Sequence, residues 1–155
     1  MRVYTNILPV MKNADPELLC LCIEVRNAAQ ALTRRYDEQL APAGITVTQL
    51  SLLNHVTQLA TPTLKALAAA TGLDRSTLGR NLRLLENQGH VSITAGEDAR
   101  TRVVRLTRKG RSALKKGAPL WYDIQTALAS RLGRRKRALL TELLNELTAR
   151  EGSTA

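Results

Sequence analysis

Leu67-Ala68-Ala69-Ala70-Thr71-Gly72-Leu73-Asp74-Arg75-Ser76-Thr77-Leu78-Gly79-Arg80-Asn81-Leu82-Arg83-Leu84-Leu85 is the stretch on which the fold turns. Leu64, Leu67 and Ala68 recur at helical spacing, and Gly72 supplies a tight turn. Asp74 then caps a second helix whose inner face is Leu78, Leu82 and Leu85. The small Ala68 lets the two helices approach closely, so the pattern predicts a helix-turn-helix. With the leucines inside, Arg75, Ser76, Thr77, Arg80, Asn81 and Arg83 fall on or near the outer face. Arginine can donate twice to guanine, asparagine can pair with adenine, and short hydroxyls near a helix start can reach phosphate oxygens. Taken alone, a helix with arginines outside is more often simply solvated, so its neighbours decide the reading.

Downstream, the hydrophobic period changes from helical to two. Val91, Ile93 and Ala95 alternate, Gly96-Glu97-Asp98-Ala99-Arg100 forms a polar tip, and Arg102, Val104 and Leu106 return. The expected hairpin holds Arg100 and Arg102 where a cation can enter a narrow minor groove, with Asp98 aiming Arg100 through a carboxylate-guanidinium pair. Thr107 caps a further helix to about Ser130, which Gly117 and Pro119 are expected to bend or weaken. A last helix carries Leu132, Leu139, Leu140, Leu143, Leu144 and Leu147. That leucine stripe suits an intrachain core or a dimer core equally, because both share one periodicity.

Upstream, Thr46-Val47-Thr48-Gln49 fits a capping box and opens a helix through Leu50, Leu53 and Val56 to about Leu59, before the Thr61-Pro62-Thr63 break. Asp15-Pro16 opens a long amphipathic helix through Leu18, Leu21, Val25, Leu32, Tyr36 and Leu40. It should stop around Ala41, because Pro42 disfavours helix in the residue before it. The 155 residues, 44% hydrophobic, suffice for one folding unit. An excess of 23 Lys+Arg over 13 Asp+Glu leaves +10, a charge that attracts polyanions, nucleic acid first among them. No apolar run approaches the roughly 20 residues of a membrane span, and Met1 to Lys12 carries Pro9 and no signal-peptide pattern. The expected location is the cytoplasm, with no membrane partner. His55 and His90 have no acidic residue or cysteine at chelating spacing, so no metal is expected, and no Gly-rich loop calls for a cofactor.

Asp98-Ala99-Arg100, followed by Val104-Arg105-Leu106-Thr107 and Gly110, resembles the wing signature of the MarR family of bacterial regulators. Gly44-Ile45-Thr46 with Gln49 and Leu52-Leu53 is similar to that family's entry to its second helix. Leu67-Ala68, Gly72-Leu73-Asp74-Arg75-Ser76-Thr77, Leu84-Leu85-Glu86 and Gly89-His90-Val91 resemble its DNA-reading helices and their exit to the wing. The likeness covers about residues 17 to 150. It implies a mainly α fold with a small β-hairpin wing, a winged helix-turn-helix in an intertwined homodimer. Residues 15–42 and 108–150 would supply the dimerisation helices and 46–106 the DNA-binding lobe, all within one chain of 1–155. The partner would be double-stranded DNA with a near-palindromic site, and the function that of a repressor released by a small-molecule effector or an oxidant. Leu139, Leu140, Leu143, Leu144 and Leu147 would then lie in the dimer interface. Two features depart from the pattern. Gly79 sits inside the recognition helix, where glycine costs on the order of 1 kcal/mol relative to alanine. Phenylalanine is absent and aromatics total 3%, so an aromatic-rich effector pocket is not evident.

Some members of that family sense peroxides with a cysteine near the start of the first helix, and Cys20 stands at a comparable place. Cys20 and Cys22 are therefore candidates for oxidant sensing. Two helical residues separated by two positions point roughly 200° apart, so these thiols cannot readily bond to each other, and Glu17 opposes thiolate formation at Cys20. The competing reading makes both of them buried small apolar residues. Trp121 and Tyr122 are read chiefly as packing, and Arg134-Arg135-Lys136-Arg137 as a solvated face. Two rivals to a specific regulator are a non-specific architectural DNA-binding protein and a thiol-dependent redox enzyme. The second lacks a Cys-x-x-Cys pair, so no enzyme is expected.

Overall fold

The computed structural model describes residues 20–96, 98 and 101–149. The expected helix opening at Asp15-Pro16, Glu17, and Arg100 of the hairpin tip lie outside the described residues. The chain divides into two compact units, residues 1–35 and 36–155.

Helix α1 spans Leu21–Leu40 and passes into a short 3-10 turn at Ala41–Ala43. Gly44, at φ 70°, ends that turn in the left-handed conformation that glycine adopts without a Cβ penalty. Helix α2, Val47–Gln58, starts with the predicted capping box. The Gln49 backbone N–H donates to Thr46 Oγ1 at 3.3 Å, and Gln49 Oε1 accepts the Thr46 N–H at 3.0 Å. The Val47 N–H donates to Asp37 Oδ1 at 2.7 Å, which ties the start of α2 to the last turn of α1.

Helices α3, Leu64–Thr71, and α4, Arg75–Asn87, meet at Gly72, which is left-handed at φ 66°. Strands β1, Val91–Ala95, and β2, Arg102–Leu106, pair antiparallel with Val91 opposite Leu106 and Ala95 opposite Arg102. The loop before α3 joins this hairpin as a short third edge: the Val104 N–H donates to the Pro62 carbonyl at 2.9 Å, and Thr63 bridges Val103. Helix α5 runs Arg108–Thr148.

Leu40, Ile45, Leu50, Leu52, Leu53, Val56, Leu67, Leu78, Leu82, Leu85, Val91, Val104 and Ala113 form one buried cluster. Each fully buried leucine contributes on the order of 1.5–3 kcal/mol relative to exposure. The leucines expected on the inner faces of α2, α3 and α4 are therefore the ones that gather the recognition elements into one core with α2, the hairpin and Ala113 of α5. Polar ties supplement them. Buried Gln49 donates from Nε2 to Gln88 Oε1 at 3.0 Å, and Lys109 Nζ donates to the Gln88 carbonyl at 2.7 Å, so the C-terminus of α4 is held from both α2 and α5.

Thr107 and Gly110 fix the exit of the wing. The Thr107 hydroxyl accepts the Gly110 N–H at 3.0 Å and lies 2.7 Å from the Gly89 carbonyl, to which it donates. A methyl at Gly110 would overlap the His90 carbonyl oxygen. His90 itself is buried, and its Nδ1 has no hydrogen-bond partner. Burial, and then the Lys109 charge, push its pKa below the ordinary 6.5, so the ring is neutral packing, as expected for a structural histidine.

The backbone stays helical through Gly117 and Pro119, and the non-helical residue is Gly133, at φ 72° and ψ 168°, close to the expected division between a helix ending near Ser130 and one carrying Leu132. Gly117 is instead a seat. A Cβ there would stand 2.9 Å from Leu50 Cδ1 and 3.2 Å from Ile45 Cδ1, so its missing side chain lets α5 lie against the core. Pro119 is carried inside the helix. The helix is interrupted where a glycine can take positive φ freely and nothing packs against it.

Candidate nucleic-acid interface

Asp74 begins the recognition helix and organises its first turn. Its Oδ1 accepts the Ser76 N–H at 2.9 Å, the Thr77 N–H at 2.9 Å and the Ser76 hydroxyl at 2.6 Å, while Oδ2 accepts the Thr77 hydroxyl at 2.6 Å. The hydroxyls of Ser76 and then Thr77, with the backbone donors, hold this carboxyl well below its ordinary 3.8. One consequence alters the expected chemistry. Each hydroxyl has one proton to donate, and in this chain both are committed to Asp74 rather than presented to a phosphate. Ser76 and Thr77 therefore meet an incoming ligand as acceptors, or by exchanging partners.

Beyond that turn, Leu78, Leu82 and Leu85 are buried, and the remaining side chains divide by helical position. Arg80 and Arg83 are exposed on the outer side, Asn81 is half-buried on the flank shared with Thr77, and Arg75 and Gly79 lie on the flank toward α3. Arg75 and Gly79 share a cleft of about 690 Å³ with Thr63, Leu64, Lys65 and Ala68 from the start of α3 and with Thr101 and Arg102 from the hairpin. Two of the residues expected from sequence, Arg75 and Arg102, are thus brought together from separate elements. Lys65 joins them. Spacing alone places Leu64, Leu67 and Ala68 as a packing stripe and gives Lys65 no role, although a cation in the first turn of a helix-turn-helix is itself a signal. Among the described residues no carboxylate lines this cleft, and its concave, cationic shape suits a sugar-phosphate backbone.

The wing is described in part. The Thr101 N–H donates to the Asp98 carbonyl at 2.8 Å, and the Gly96 N–H donates to the Thr101 carbonyl at 2.7 Å, closing the turn. Asp98 is exposed. The expected pairing of Asp98 with Arg100 falls on a residue outside the described set.

The other candidate residues stand apart from this face. Cys20 and Cys22 are both exposed free thiols, which corrects the reading that made them buried packing. Leu139, Leu140, Leu143, Leu144 and Leu147 are 40–54% exposed, so the intrachain-core reading of that stripe is also corrected. Trp121 and Tyr122, expected in packing, are 39% and 65% exposed. Trp121 borders a groove of about 330 Å³ with Val47, Leu50, Ser51, Asn54, Leu114 and Ala118. No helix among the described residues is long and apolar enough to cross a membrane, and no cluster of potential metal ligands occurs among them.

The family model for the MarR family matches residues 43–101, the span from the Gly44 turn to the hairpin tip. A curated relative, the HTH-type transcriptional regulator YwoH of Bacillus subtilis, is 28% identical over 86 residues. That match covers 56% of this chain and 63% of the relative's length. The crystal structure of the M. tuberculosis transcriptional regulator MosR in complex with DNA is 38% identical and superposes with a TM-score of 0.69, covering 84% of this chain and all of that one. A mutant of E. coli MarR complexed with operator DNA is 26% identical with a TM-score of 0.74, covering 83% of this chain and 94% of that one.

Proposed function

Because the chain belongs to the MarR family of transcriptional regulators, we propose that it is a homodimeric repressor of a near-palindromic double-stranded DNA site, released when a small molecule or an oxidant changes the spacing of its two recognition helices. In this reading α4 enters the major groove, the hairpin with Arg102 and Arg100 enters the adjoining minor groove, and Lys65 and Arg75 hold the backbone between them. The observation that carries it is the cleft in which, among the described residues, α3, α4 and β2 converge Lys65, Arg75 and Arg102 with no carboxylate. Arg80, Asn81 and Arg83 stand beside it as the side chains that reach base edges, with Ser76 and Thr77 in the first turn and Asp98 bracing the hairpin tip.

The dimer rests on the exposed stripe from Leu139 to Leu147. Contiguous apolar surface of this kind is covered in stable proteins, and a second copy offers the same stripe in self-complementary form. Residues 15–42 and 108–150 are the segments assigned to that interface, leaving 46–106 as the DNA-binding lobe. MarR-family regulators are not enzymes, so the exposed Cys20 and Cys22 are retained only as candidate oxidant sensors.

The test is fluorescence-anisotropy binding, at physiological salt, to DNA from the gene's own upstream region or to sites selected from the genome, against scrambled DNA. A preference of about a thousandfold or more is expected for a specific regulator. Equal affinity for all sequences after site selection would make this a non-specific architectural protein and end the repressor reading.

A further inference from the structure

Asp74 decides more than the shape of the first turn of α4. A hydroxyl carries one proton and two lone pairs. The Ser76 proton goes to Asp74 Oδ1 and the Thr77 proton to Oδ2, each at 2.6 Å, so what either side chain still offers outward is its lone pairs. Among the described residues no group donates to either hydroxyl oxygen. Ser76 is exposed and Thr77 half-buried. One turn further along, Arg80 continues the row of Ser76 and Asn81 that of Thr77. The start of the helix thus sets acceptors in line with the donors of Arg80.

We propose that Asp74 is a specificity-determining positioning residue: by holding both protons it makes Ser76 and Thr77 acceptors that read amino groups in the major groove, N4 of cytosine and N6 of adenine. The inference rests on the reading in which α4 enters that groove. Hydrogen bonds to a carboxylate are roughly twice as strong as those between neutral groups, so the neutral keto oxygens of guanine and thymine do not draw the protons away. A phosphate is a stronger rival, yet it has to approach beside an ionised carboxylate. Asp74 keeps its charge, because the hydroxyls of Ser76 and then Thr77 hold its pKa well below the ordinary 3.8. Telling an amino-bearing from a keto-bearing base on one strand separates A·T from T·A and C·G from G·C.

The two carboxylate oxygens differ in a way that supplies a test. Oδ1 accepts from the backbone N–H groups of Ser76 and Thr77 and from the Ser76 hydroxyl, whereas Oδ2 accepts from the Thr77 hydroxyl. In Asp74→Asn the amide oxygen can keep the three donors of Oδ1, which puts Nδ2, a donor, opposite Thr77. The reverse orientation sets Nδ2 against two N–H groups. The Thr77 proton then turns outward, and this side chain changes from acceptor to donor while Ser76 stays as it was. Asparagine caps helices about as well as aspartate, so α4 persists. Loss of the negative charge strengthens binding to every duplex alike, and base preference is therefore the informative readout.

The experiment selects sites from a randomised duplex library with the full chain. Anisotropy at physiological salt then compares the selected site with versions in which each base pair is reversed. The proteins are the parent, Asp74→Asn, Thr77→Val and the double variant, with circular dichroism melting to show that each is folded. At one position of the half-site the parent is expected to prefer an amino-bearing base on the contacted strand by about two- to tenfold, the scale of a single hydrogen bond. Asp74→Asn should reverse that preference and Thr77→Val should abolish it. In the Thr77→Val background, Asp74→Asn should change affinity equally for all sites. A cap with a purely structural role would shift melting or overall affinity without exchanging one base for another. A specific parent whose Asp74→Asn variant keeps the same preference at every position would overturn the inference and leave the repressor reading standing. So would a preference that still reverses when Thr77 is valine. A parent that binds all sequences equally would overturn both.

Discussion

Replacing Gly79 with alanine separates what the chain needs at that position from what its DNA needs. Gly79 lies inside α4 with no positive φ, and a Cβ built there meets nothing within 4 Å. The chain's own packing therefore gives no reason for the missing side chain. Alanine would remove backbone entropy from the unfolded state and improve helix propensity, a gain of about 0.4–1 kcal/mol. At this chain length each kcal/mol moves the melting temperature by roughly 2–4 °C, so Gly79→Ala should melt about 1–4 °C higher. Gly79 also lines the cleft of Lys65, Arg75 and Arg102, so the added methyl projects where the proposed DNA backbone approaches. Specific affinity, read by anisotropy beside the melting curve, should fall several-fold. A variant that melts lower would refute the open-space reasoning, and one that melts higher yet binds equally well would show that DNA never approaches this position closely.

Gly110→Ala should behave in the opposite way, because its methyl overlaps the His90 carbonyl oxygen. Relieving a clash with backbone in a packed site costs typically 1–3 kcal/mol or more, and a melting temperature within a degree of the parent would contradict the observed approach. Stability should also fall in acid in two windows. His90, with its pKa lowered, contributes most above the ordinary 6.5 and loses that contribution as the pH falls below it, since the unfolded chain takes up the proton first. Asp74, also lowered, stabilises above 3.8 and loses its contribution as the pH falls further. Urea titrations of His90→Leu and Asp74→Ala should each flatten the pH dependence in one window only. Leu143→Asp places a charge in the proposed interface and should yield monomers in sedimentation, and a stable dimer would remove α5 from that interface.

Much of the fold was legible because its signals are local. The Thr46-Gln49 box, the Gly72 turn, the Asp74 cap and the change of hydrophobic period at Val91 each fix a few neighbouring backbone angles, and each appears in place. The interruption of α5 at Gly133 falls close to the division expected between Ser130 and Leu132, whereas the role of Gly117 was not legible, for the complementary reason. Gly117, Pro119 and Gly133 look alike as helix breakers in sequence. What distinguishes Gly117 is that Leu50 and Ile45, far along the chain, claim the space over it. Exposure of the Leu139 to Leu147 stripe was likewise beyond periodicity, which reports that a face is apolar and not which molecule covers it.

The candidate site divides along the same line. Arg75, Arg80 and Arg83 could be put on the surface of α4 from spacing alone, but that Arg75 and Arg102 share a cleft with Lys65 follows only once β2 is folded against α3. For Ser76 and Thr77 the sequence placed the groups and misjudged their occupation. Asp-x-Ser-Thr at a helix start invites the hydroxyls toward an incoming phosphate, yet the carboxylate two and three residues earlier takes both protons first. The two readings have different energetic consequences. If DNA recruits those protons, Asp74 must give up the hydrogen bonds that lower its pKa, beside a polyanion that also raises it, so binding would be linked to proton uptake at acidic pH. If the hydroxyls stay with Asp74, the carboxylate keeps its charge and acts as a fixed brace for the first turn, and DNA binding carries no proton linkage from this residue.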